Sequence, residues 1–210
     1  MGNQAFYTNN QRACGYAINM LKQIIIGGIV GGITLFMWGY VSWVAMDWHD
    51  NTVRSHEGVH AVVENIDQHL PETGVYYFPP MTFEKEDTAA MQEWLEIHKT
   101  KPHGMIFYNA TLGEPMPPSQ LIRGFFVDVI ASMMATILLI MALPNLPTYG
   151  ARVFYVLALG VFAIMSVHLV NGVFHDMPLS WTTGVALDLT ASWLFAGLVL
   201  AAIVQPQPDV

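Results

Sequence analysis

"IIIGGIVGGITLFMWGYVSWVAM", residues 24–46, runs without a single charged side chain. A helix needs about 20 mostly apolar residues to cross the hydrocarbon core of a bilayer, so Ile24–Met46 reads as one membrane span. The segment follows a polar stretch, 1–22, and is longer than the roughly 7–15 apolar residues of a signal peptide. Its exit, Val44-Ala45-Met46-Asp47, is a poor cleavage site, which predicts an uncleaved anchor. Working outward, Leu121–Leu143 and Val153–Phe174 are equally long and apolar, and Trp181–Val204 joins them with one acid.

Composition agrees. Of 210 residues, 53% are hydrophobic and only 11% charged, against about 25% charged in soluble domains. The expected fold is therefore a membrane all-α protein: four transmembrane helices with a small α+β extramembrane module inserted between helices 1 and 2. The expected division is a tail at 1–22, helix 1 at 23–46, the module at 47–118, helices 2–4 at 119–204, and a tail at 205–210.

Orientation follows the distribution of Lys and Arg. Arg12 and Lys22 precede the first span and Arg152 lies between the second and third, whereas His175–Ser180 carries no basic residue. Segment 47–118 holds four basic residues against twelve acids, much of the net −8. Both termini are thus expected in the cytoplasm and 47–118 outside. The acidic balance, with no basic stripe, argues against a nucleic-acid partner. The single cysteine, Cys14, excludes an internal disulfide and reads as incidental.

In the first span, Gly27 and Gly31, and Gly28 and Gly32, are spaced four apart, the pattern that lets two membrane helices approach closely. Packing inside the chain's own bundle is the expectation. Trp38, Tyr40, Trp43 and Trp48 gather at the exit, as an interfacial aromatic belt does. The module reads helix (52–70), strand (74–80), helix (87–99), strand (104–112), from the switch between helical spacing and β-rich runs. So small a module is expected to lean on the membrane lipid or on a partner.

"TLFMWGYVSWVAMDWHD", then "GVYYFP", "KPHG" and a closing "WLFAGLVLAAIV", resemble a group of small bacterial four-helix inner-membrane proteins. The resemblance covers most of the chain. It implies a four-helix fold in a bacterial inner membrane and carries over no catalytic residue.

One motif points elsewhere. His56-Glu57-Gly58-Val59-His60 has the zinc-hydrolase spelling: on a helix, two imidazoles share one face and the glutamate activates a bound water. Against it, Val63 and Ile66 stand where an extended motif places Gly and His, and nothing singles out a third ligand among Glu84, Glu86 and Glu93. A looser reading has His49, His56, His60, His69, His98 and His103 binding zinc or another transition metal without catalysis. The leading reading is a non-enzymatic accessory or structural subunit, with no cofactor and other membrane subunits as partners. The alternative is a membrane-bound zinc hydrolase using His56, Glu57 and His60.

Inside the apolar windows four polar groups stand out: Tyr40, Asp128, His168 and Asp188. Counted from the outer helix ends at 1.5 Å per residue, they share one layer roughly 9–12 Å deep. An acid in a membrane helix costs about 2.5–3.5 kcal/mol on insertion scales, so such groups turn inward and find partners. Asp128, His168 and Asp188 are expected to face the bundle interior near one another, more as a hydrogen-bonded plug than as a proton-handling site.

Overall fold

The computed structural model describes residues 2–206; the side chains of residues 2–14 and of Trp48 fall outside the described set. The expectations placed on Arg12, Cys14, Trp48 and the last four residues of the C-terminal tail therefore lie outside the described residues.

Helix α1 runs Gly2–Tyr40, so the polar stretch before the first span, from residue 2 to 22, continues the helix rather than preceding it. It passes into a π-helical segment, Val41–Ala45, and after extended Met46 into a single 3₁₀ turn, Asp47–His49. The elements that follow are α2 (Val59–His69), β1 (Gly74–Phe78), α3 (Thr88–Thr100) and β2 (Gly104–Tyr108). Next come α4 (Pro118–Ala142), α5 (Tyr149–Ala163), a second π segment (Ile164–Leu169), α6 (Val170–Phe174) and α7 (Leu179–Ile203). Among the described residues, four helical stretches are long and apolar enough to cross a membrane: Gly15–Ala45, Pro118–Asn145, Tyr149–Phe174 and Leu179–Ile203.

Glycine sets the central contact. A side chain at Gly27, Gly28, Gly31 or Gly32 would run into Thr136, Met133, Ser132 and Val129 of α4, so both four-residue pairs serve packing within the chain. At Gly32 the approach reaches the α4 backbone, where an added Cβ would lie 2.7 Å from Val129 Cα. α1 also packs on α7, and α7 on α5, where Trp193 covers Gly160. Leu139, Val156, Leu200 and Val204, each fully buried, knit α4, α5 and the end of α7 together.

Arg152 joins this core, 6% exposed. Its guanidinium donates to the carbonyls of Ala201 (3.2 Å), Leu146 and Pro147 (both 3.4 Å). Ala201 lies in the last turn of α7, whose carbonyls lack intrahelical partners and carry the negative end of the helix dipole. Arg152 caps Ala201 from another helix, while Gln205 just past the helix end donates to the Ala202 carbonyl at 2.8 Å.

Between the first and second spans, β1 and β2 pair antiparallel, Gly74 opposite Tyr108 and Phe78 opposite Gly104. Asp87 caps α3 by accepting from the Ala90 N–H at 3.0 Å. Helix α2 starts seven residues later than the sequence predicts. Gly58 is a poor helix former, and its N–H is taken by His56 Nδ1 at 3.0 Å, a local bond that competes with the helix. His56 and Glu57 therefore precede α2, and only His60 lies on it. The one-turn spacing that the zinc motif requires on a helix is absent.

Candidate functional site

The most densely bonded polar centre is Asp188, on α7 and 6% exposed. Its Oδ1 accepts from Ser42 Oγ at 2.6 Å and from Trp38 Nε1 at 2.8 Å. Its Oδ2 accepts from Trp43 Nε1 at 3.1 Å and lies 3.8 Å from His49 Nε2. Both carboxylate oxygens are thus engaged from the end of the first span.

The π segment makes this possible. In an α-helix of 3.6 residues per turn, residue i+4 stays near residue i but i+5 lies about 140° away. A π turn closes i→i+5 bonds and brings i+5 back to the same side. Trp38, Ser42 and Trp43, at i, i+4 and i+5, accordingly converge on one carboxylate. Met46 is extended (φ −115°, ψ 138°), and the following 3₁₀ turn folds His49 back beneath the cluster. There its ring stacks on Trp43 at 3.8 Å and 8°.

The proton directions are constrained. Ser42 donates its one proton to Asp188, so it accepts from His49 Nε2–H at 2.9 Å. The other ring nitrogen of His49, Nδ1, pairs with Thr52 Oγ1 at 3.3 Å. Thr52 in turn sits against Gly184, one helical turn before Asp188, where an added Cβ would lie 2.7 Å from its hydroxyl. Hydrogen bonds thus link Thr52, His49, Ser42 and Asp188 in one chain.

Serine, histidine and aspartate in contact invite comparison with a nucleophilic triad, and the geometry differs from it. In a triad the histidine takes the serine proton and the aspartate holds the opposite ring nitrogen. Here Ser42 points its proton at the aspartate, and Asp188 lies on the same ring nitrogen as the serine. Ser42 is also 0% exposed, out of reach of a substrate. The arrangement is a clasp between the first span and α7.

The other polar groups within the spans make different contacts. His168 lies in the second π segment and its Nε2 meets the Thr182 carbonyl at 2.9 Å, a tie between the third span and the first turn of α7. Asp128 is half-buried on α4. Tyr40 is 57% exposed on the outer side of α1. Among the described residues no hydrogen bond joins Asp188 to Asp128, His168 or Tyr40. Of the partners it does have, Trp38 and Ser42 share a helix face at i, i+4, a signal the sequence offered, whereas Trp43 and His49 carry no helical-period signal that links them to that face. His56, Glu57 and His60 are all exposed. Among the described residues no three His, Cys, Asp or Glu side chains gather around one point as a metal site.

Comparison with protein-family models, with curated proteins and with solved structures finds no match, so the chain's own geometry carries the functional argument.

Proposed function

We propose that the chain is a non-enzymatic multi-pass protein of a bacterial inner membrane, an accessory or structural subunit of a larger complex. In this reading both termini are cytoplasmic, and the segment from α2 to β2 is an extracytoplasmic module inserted between the first two spans. The observation that carries it is the Asp188 clasp: the polar centre of the bundle spends its donors and acceptors on holding two helices together.

Two surfaces support a role in assembly. Residues 15–20 of α1 are all exposed, including Tyr16 (56%) and Ile18 (51%). A helix that packs on nothing is marginal in water, so this stretch suits contact with a neighbouring subunit or the membrane face. On α2, Val59, Val62 and Val63 share one face and are each at least half exposed. Grouped apolar exposure of this kind marks interaction surfaces.

Purification in mild detergent, with mass spectrometry of co-eluting chains, tests the proposal. A stoichiometric membrane-protein partner is expected. An isolated protein carrying one zinc per chain, with hydrolytic activity lost in Glu57→Gln, would overturn it.

A further inference from the structure

Where β1, α3 and the α6–α7 turn meet, the chain forms a half-open pocket of about 430 Å³. Its walls are aromatic. Phe78 and Phe174 line it, as does Trp94, whose ring is fixed by an N–H bond to the Pro79 carbonyl at 3.1 Å. Its polar groups come from both sides of the junction. Tyr77 from β1 pairs its hydroxyl with His175 Nδ1 at 3.0 Å. His103 stacks on His98 at 4.4 Å and places Nε2 3.7 Å from Asp176 Oδ2, beyond hydrogen-bond reach.

Asp176 is the one carboxylate lining the pocket, with His103 as a loose, 3.7 Å neighbour. Its side chain is 69% exposed, and it accepts no hydrogen bond among the described residues. Its backbone is held in the left-handed region at φ 47°, a conformation that most side chains avoid. No Lys or Arg lines the pocket, and the surrounding segment is strongly acidic. Such a field attracts cations and repels anions.

Size and wall chemistry narrow the class of cation. The volume lies in the range of about 300–1,000 Å³ typical of small-molecule sites, far larger than a bare ion needs. Aromatic walls beside one carboxylate are the features that recognise an ammonium group on an apolar body. We propose that this pocket binds an organic ammonium ligand, its charge at Asp176 and its apolar body against Trp94 and Phe78. Binding here neither requires nor excludes a partner complex, so this test and the purification above read out separately.

Isothermal titration of the full-length protein in mild detergent provides the test. The probes are phenethylammonium and benzyltrimethylammonium, with 2-phenylethanol as the neutral counterpart, phenylacetate as the anion and zinc chloride as the metal. Both ammonium probes should bind saturably, at least about tenfold more tightly than 2-phenylethanol, and phenylacetate should not bind. Asp176→Asn and Trp94→Leu should each weaken the ammonium probes by about tenfold. Because Asp176 is exposed, Asp176→Asn should leave the ligand-free melting temperature unchanged. No saturable ammonium binding up to about 10 mM, equal binding of 2-phenylethanol, an unaffected Asp176→Asn, or binding of zinc alone would each overturn the proposal.

Discussion

Trp38 and Trp43, five residues apart on the first span, donate their indole N–H groups to the two oxygens of the same carboxylate, Asp188, at 2.8 and 3.1 Å. On a regular α-helix they would point about 140° apart. The π segment Val41–Ala45 covers the last steps between them and narrows that difference, and the reach of the two indoles closes the rest, joining the first span to α7.

The opposite half of the bundle depends on close approach. Gly32→Ala should force α1 and α4 apart, because the new methyl meets Val129 backbone atoms at 2.7 and 2.8 Å. A loss of about 1–3 kcal/mol is expected from such overpacking. Gly39→Ala, with nothing within 4 Å of the added methyl, should be neutral or slightly stabilising because alanine favours the helix. Thermal melts of the two variants in one detergent separate these outcomes. Equal effects would show that the α1–α4 contact is not what glycine protects there.

Arg152→Gln should lower stability by about 2–3 kcal/mol, since charged hydrogen bonds to the carbonyls of Ala201, Leu146 and Pro147 are lost in a buried site. Arg152→Lys should recover only part of this, as a single ammonium cannot reproduce a forked guanidinium. Full recovery by lysine would reduce the residue's role to its charge. The readout is the unfolding midpoint in a denaturing-detergent titration.

Reporter fusions address sidedness. The proposed orientation, termini cytoplasmic and the α2–β2 segment outside, predicts that a reporter active only outside the membrane is active after Glu86 and silent at the C-terminus. The basis is the position of Lys22 and Arg152 against the acidic segment 47–118. Activity at the C-terminus would reverse the assignment.

How much of this was legible beforehand follows from the physics of each signal. Span length and apolarity are local and additive, so all four membrane-crossing helices could be read directly. The helix–strand–helix–strand order between the first two spans was equally readable, because Val59, Val62, Val63 and Ile66 repeat at helical spacing while "GVYYF" does not. The start of α2 was not, since it turns on a bond between His56 and Gly58 that propensity does not encode. Asp188 stood out as an acid in an apolar window. Counting residues along an axis gives depth but not direction around the helix, so a shared layer with Asp128, His168 and Tyr40 could not be turned into contacts. Its partners were legible only in part: Trp38 and Ser42 share a face at i, i+4, but Trp43 is drawn toward that face by a π turn, and a backbone reversal after Met46 returns His49 to a helix it has already left.

The clasp itself is tested most directly by a double-mutant cycle between Trp43→Phe and Asp188→Asn, read as unfolding free energy in mixed detergent. Each single variant should destabilise the protein, because each strands a buried polar partner. The account predicts a coupling energy of about 1.5–3 kcal/mol between the two, the worth of a hydrogen bond to a charged group. A coupling below about 0.5 kcal/mol, the level at which separate sites simply add, would contradict the claim that Asp188 fastens the first span to α7.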